Sequence, residues 1–112
     1  MSRQPPASDS KIGAPVDYPV SEAVNFDNLA ALRQAAERRI EALAEHESLR
    51  VRFTSSQHSG SAAVALMIAI YRRGHVTGRG VEFADVPEDV INIIEVSGLS
   101  DILPVMDAHK PA

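Results

Sequence analysis

Residues 49–83 read LRVRFTSSQHSGSAAVALMIAIYRRGHVTGRGVEF, and this stretch decides the fold. Leu49, Val51 and Phe53 alternate with Arg50, Arg52 and Thr54. That two-residue period predicts a strand with one buried face. The chain then enters Thr54 to Ser61, where five of eight residues carry a hydroxyl. Ser59 and Ser61 are both good caps for a helix that starts there. That helix, over about Ser61 to Arg73, is apolar nearly all round. Val64, Met67, Ile68 and Tyr71 make a bulky stripe expected to face the core. Ala62, Ala65 and Ala69 make a small-residue stripe ending at Arg73. Arg72, Arg73 and His75 complement the negative end of the helix, and Gly74, Gly78 and Gly80 are expected to break it. Val81, Phe83 and Val86 supply another short strand.

Upstream, residues 1–15 hold Pro5, Pro6 and Pro15 among small polar residues and predict a flexible tail. Val16 to Val20 alternates but contains Pro19, which restricts it to an edge or irregular strand. Phe26, Leu29, Leu32, Ala36, Ile40 and Leu43 recur every three or four residues, with Arg33, Glu37, Glu41 and Glu45 between them. They predict an amphipathic helix of roughly Asp27 to His46, started by Asn25 or Asp27. Downstream, Pro87 suits a first helical position, and Glu88 and Asp89 suit the N-terminal dipole. Val90, Ile91, Ile93, Ile94 and Val96 continue that helix to a stop at Gly98. Leu99, Ile102, Leu103 and Val105 form a last apolar segment interrupted by Pro104. Strand and helix alternate three times, which indicates an α/β domain. We expect one domain over 16–108, with residues 109–112 as a second tail.

Composition narrows the function. The chain has 112 residues and a net charge of −4. It lacks the basic footprint of a nucleic-acid binder. There is no cysteine, hence no disulfide, thiolate site or cysteine nucleophile. The longest apolar run, Ala62 to Tyr71, is half of the roughly 20 residues that cross a bilayer. No signal-peptide pattern follows Arg3. A soluble, cytoplasmic domain without membrane insertion is expected. Charge is segregated: residues 81–109 contain seven acids and no Lys or Arg, whereas 71–80 contain Arg72, Arg73 and Arg79 and no acid. Such segregation fits a solvated surface and helix-dipole matching, or a partner surface with two patches of opposite sign.

Catalytic patterns are missing. His46, His58, His75 and His109 are scattered without ligand spacing, so no metal is expected. Ser59 beside His58 lacks a nucleophile elbow. The hydroxyl loop lacks the Lys and Gly spacing of a phosphate-binding loop. Its hydroxyls can simply satisfy turn and helix-end N–H groups. No cofactor and no enzymatic activity are expected.

The order of motifs supplies the next step. VRFTSSQ-HSGS-AAVALMIAIYRR-GHVTGRG-VEFADV, followed by PEDVINIIEVSGLSDILP, resembles a STAS domain. Those domains run from a strand through Asp-Ser/Thr-x-Gly into a Leu/Ala-rich helix, then a Gly-rich turn, a short strand and an SGL…LP ending. VEFADVP with SGLSDILP is most similar to the MlaB-like STAS proteins of the Mla phospholipid-transport system. The resemblance implies a small mixed β-sheet with helices packed mainly on one face. It implies a non-enzymatic protein that binds the cytoplasmic ATPase of an ABC complex maintaining lipid asymmetry, and so lies peripheral to the inner membrane. It also implies alternatives: an anti-sigma-factor antagonist phosphorylated at Ser59 by a partner kinase, or a small-ligand or lipid-binding module. The candidate partner-binding residues are His58, Ser59, Gly60, Ser61, Ala62, Ala65 and Arg73. The family's acid before the hydroxyl residue is His58 here, and the Gly two after it is Ser61. Loss of that acid favours docking over phosphorylation.

Overall fold

A computed structural model describes residues 15–55 and 57–106. Of the expected tails at 1–15 and 109–112, residues 1–14 and 109–112 lie outside the described residues, and Pro15 belongs to the first strand. The elements follow in the order β1 (Pro15–Val20), α1 (Leu29–Glu41), β2 (Ser48–Phe53), α2 (Gly60–Thr77), β3 (Gly80–Ala84) and α3 (Glu88–Val96). The alternation of strand and helix is therefore as expected, with β1 starting one residue earlier, at Pro15.

The strands form one sheet in the order β1-β2-β3. Every described pairing is parallel, where a mixed sheet was expected. The cause is the connectivity. Each strand is followed by a helix that returns the chain to the starting end of the sheet, as a parallel neighbour requires. After α3 the chain reaches Val105, which bridges Phe83 in the same sense.

The pleat sorts side chains. Leu49, Val51 and Phe53 are buried, in register with Val16, Tyr18 and Val20 of β1 and, for the first two, Val81 and Phe83 of β3. The opposite face carries Asp17, Arg50, Arg52 and Glu82. Arg52 grips Asp17 with two bonds of 2.9 and 2.8 Å, and Arg50 reaches Glu82 at 2.7 Å. The Arg52 hydrogen bonds, helped by the nearby Arg50 charge, hold the Asp17 carboxyl below the usual carboxylate range. Parallel sheets are normally covered on both faces. Here no described helix covers the second face, and ion pairs between neighbouring strands take the place of a second apolar layer. On the first face, burial pushes the Tyr18 phenol up.

β1 is an edge strand among the described residues. Thr54 N–H donates to the Val20 carbonyl at 3.1 Å, so the polar backbone groups of Val20 turn toward β2. Alternate residues of a strand turn to opposite sides. Pro15, Asp17 and Pro19 therefore point their backbone nitrogens outward, where a proline costs no ladder bond.

The first helix is shorter than expected. Asn28 stands at its N-cap without a side-chain cap bond. Asn25 instead organises the entry, its Oδ1 accepting from the N–H groups of Asp27 and Asn28 at 2.9 and 3.0 Å. Phe26, read as part of the apolar stripe, lies outside the helix and is 65% exposed. Ala36, Ile40 and Leu43 are buried as expected.

The second helix is longer than expected, because Gly74 lies inside it. Gly74 is buried and turned toward the start of β3. The helix ends at Gly78, whose φ of 74° is left-handed and suits glycine. A Cβ on Gly74 would stand 2.9 Å from the Arg79 carbonyl oxygen and 2.5 Å from Val81 Cγ2. Propensity alone favours alanine in a helix by about 1 kcal/mol. A backbone oxygen at that distance cannot yield without moving β3. We therefore expect Gly74→Ala to lower stability by about 1–3 kcal/mol, read as the urea midpoint, as overpacking does. A midpoint at or above wild type would show that the β3 turn gives way freely.

Helix α2 packs on the sheet between α1 and α3. Ala63, Leu66, Met67 and Ile70 are buried together with Val90 and Ile94 of α3. Ile68 and Ile93, both expected in the core, are only half-buried at its margin. Pro87 stands one position before its expected place, at the N-cap of α3.

Candidate docking site

The site is the N-terminal end and outer face of α2. Ser59 occupies the N-cap with an extended backbone (φ −69°, ψ 117°), and its hydroxyl makes no cap bond. Ser59 and Ser61 are exposed. Ser61 lies within the first turn, so the cap position belongs to Ser59. Gly60 is half-buried because α3 crosses close by: a Cβ there would run into the Ile93 side chain. A side chain at this position would force the tip of the Ile93 side chain to move.

Two loops meet behind Ser59. Its N–H donates to the Val24 carbonyl at 2.8 Å. The Val24 N–H donates to Nδ1 of His58 at 2.9 Å, across 34 residues of sequence. The His58 ring meets Phe53 edge-on, with centroids 5.3 Å apart. The entry to α1 is thus tied to the entry to α2. His58 serves here as a backbone acceptor in the fold.

The outer face of α2 presents Ser61, Ala65, Ile68, Ala69, Arg72 and Val76. Ala62 was expected on this face and is fully buried. The helix turns by 100° per residue, and the fully buried Leu66 and Ile70 fix its inward side. This rotation carries Ala62 toward α1 and leaves Ala65 and Ala69 half-buried. Arg73 is 38% exposed and engaged within the fold, with Glu37 at 3.6 Å and Glu41 at 3.9 Å on α1. Glu37 also receives Arg33 at 3.1 Å. Beside these charges a groove of about 310 Å³ is lined by Glu37, Ala69, Arg72, Arg73 and Val76. The structure thus brings Ser59, Gly60, Ser61 and Ala65 to one end and face of α2. It places His58 behind them, turns Ala62 inward and ties Arg73 to α1.

Sequence reasoning missed two features. Val24 anchors the loop behind Ser59 and has only a lone apolar position to announce it. Val96 of α3 is 88% exposed and lies beside Asn92, Ile93 and Ser97 in a small apolar patch. A signal was present there: five of the seven residues from Val90 to Val96 are apolar, more than a single buried stripe needs.

The described residues bring together no group of three His, Asp or Glu side chains able to hold a metal ion. No described helix is long and apolar enough to cross a membrane. No curated protein matches the chain. Residues 14–104 do match a family model, that of the MlaB STAS domain, and they take in all six elements of the fold and the hydroxyl loop. The chain therefore belongs to the MlaB-type STAS domain family.

Proposed function

We propose that this protein is a non-enzymatic docking subunit that binds the cytoplasmic ATPase of a phospholipid-transport ABC complex. In that role it stays peripheral to the inner membrane through its partner and takes part in maintaining lipid asymmetry. The observation that carries the reading is membership of the MlaB-type STAS family across residues 14–104. STAS domains as a class work by protein–protein interaction. The exposed end of α2, with Ser59, Gly60 and Ser61 in front of Ala65, supports it as the contact surface. Arg72, exposed at the far end of the same face, can meet a carboxylate at the rim of the interface.

Ser59→Glu tests the site. A carboxylate at the N-terminus of a helix is favoured by the dipole, so the domain should stay folded. The same charge at a docking surface must be desolvated or repelled. We expect ATPase affinity to fall by at least about tenfold, or about 1.4 kcal/mol, with the melting temperature held. A folded Ser59→Glu protein that co-purifies with the ATPase as wild type does would sink the assignment.

The exposed hydroxyl of Ser59, which makes no cap bond, also favours a second reading, an anti-sigma-factor antagonist phosphorylated there. His58 weighs against it, since its Nδ1 is engaged with Val24 and it stands where the family carries an acid. Mass spectrometry of protein from its own host should find Ser59 unmodified. Substantial phosphate at Ser59 would replace the transport reading with the sigma-factor one.

A further inference from the structure

We infer that His58 is a positioning residue: a neutral imidazole, protonated on Nε2, whose Nδ1 clasps Val24 and so sets Ser59 for docking. The docking half rests on the ATPase reading above, and the clasp itself does not.

Val24 is held by both of its backbone polar groups. Its N–H donates to His58 Nδ1 at 2.9 Å, and its carbonyl accepts from Ser59 N–H at 2.8 Å. Its side chain is fully buried. His58 and Ser59 thus grip one residue from two sides, and neither can shift without releasing it. A ring nitrogen that accepts a hydrogen bond bears no proton, so the proton of the neutral ring is on Nε2. Nε2 is buried and has no partner among the described residues. A desolvated donor without a partner is a cost to the fold and calls for an explanation. The explanation lies on the other side of the ring, where Nδ1 is the acceptor for a buried-segment N–H. Phe53, edge-on at 85°, holds the ring in the orientation that presents it.

What the clasp requires is an acceptor bonded to Cγ. The Oδ1 of asparagine stands at the same bond distance from the backbone as Nδ1, whereas leucine fills similar space with no acceptor. Asparagine should therefore replace His58, and leucine should fail. The consequence for Ser59 follows from adjacency. With Val24 released, the N-cap residue loses the carbonyl that fixes its own N–H, and the docking end of α2 frays.

The test uses the full chain, labelled with 15N. Long-range proton–nitrogen spectra of wild type should show the Nε2–H tautomer of His58, which a merely space-filling ring would not require. Amide exchange should show Val24 protected in wild type and in His58→Asn, and its protection reduced by at least about tenfold in His58→Leu. ATPase affinity should follow the same order, within about threefold of wild type for asparagine and down about tenfold or more for leucine. An Nδ1–H tautomer in wild type overturns the clasp, as does loss of Val24 protection in His58→Asn. Full ATPase affinity in a His58→Leu protein that has lost Val24 protection overturns the positioning role. If His58→Leu does not fold, the tautomer and the asparagine variant decide. If wild type does not bind the ATPase, the docking reading has failed, and tautomer and exchange still judge the clasp.

Discussion

Phe83→Ala is expected to remove about 3–5 kcal/mol of folding stability, the range for emptying a fully buried aromatic site. A domain holds only about 5–15 kcal/mol in total. Phe83 is the largest fully buried side chain among the described residues and stands fourth of the five residues of β3. It stands opposite Val51 in register, and Val51 stands opposite Tyr18. Its backbone also fastens the last segment of the domain: its N–H donates to the Pro104 carbonyl at 3.0 Å, and its carbonyl accepts from Met106 at 2.7 Å. Alanine preserves those backbone bonds and leaves a cavity beneath α2 and α3. Urea denaturation should therefore show a much lower midpoint, with Phe83→Leu in between. A loss below about 1 kcal/mol would mean that the site collapses around alanine, contrary to the close packing of interiors.

The largest effect on binding is expected from Ala65→Arg. Ala65 is half-buried on the outer side of α2, between the exposed Ser61 and the half-buried Ala69. An arginine there extends into solvent in the isolated domain, and a surface change of this kind stays within about 0.5 kcal/mol. In a complex the same side chain would be trapped in a closely packed contact with its charge desolvated. ATPase affinity should fall by about a hundredfold, or about 2.8 kcal/mol, while the melting temperature stays within a few degrees. Calorimetry on both samples separates the outcomes. An unfolded Ala65→Arg protein would make this face core and end its role as an interface. A folded one that binds normally would move the interface elsewhere.

Much of the fold was legible because one face of the sheet is open. Charged residues at Arg50 and Arg52 must alternate with Leu49, Val51 and Phe53 when only one side is covered, and the two-residue period followed directly. The orientation of α2 was not legible for the opposite reason. Three neighbours contact it, so apolar residues surround it, and no stripe marks which side remains free. Ala62 and Ile68 were exchanged between core and surface on that account. Gly74 was read as a chain breaker, because glycine marks both interruption and close approach, and only the position of β3 tells them apart. The end of α2 proposed here for docking was singled out through the hydroxyl loop and the order of motifs. Its supporting contact was not. A histidine that accepts a bond from a backbone N–H leaves no pattern in side chains, and Val24 lies 34 residues away.

The prolines of β1 restrict how any other chain can recognise this domain. Strand addition reads main chain and is nearly indifferent to the sequence of the newcomer. Of the outward positions Pro15, Asp17 and Pro19, only Asp17 has an N–H to offer. A newcomer would find a single donor along a border that should supply one at every second residue. Promiscuous pairing is thereby disfavoured at this border, and a partner must be told apart by the shape and charge of side chains on the helices. Discrimination of that kind is lost by single substitutions and regained by matched pairs. A charge placed on α2 should then be curable by the opposite charge on the partner proposed above, which no backbone-mediated contact would permit.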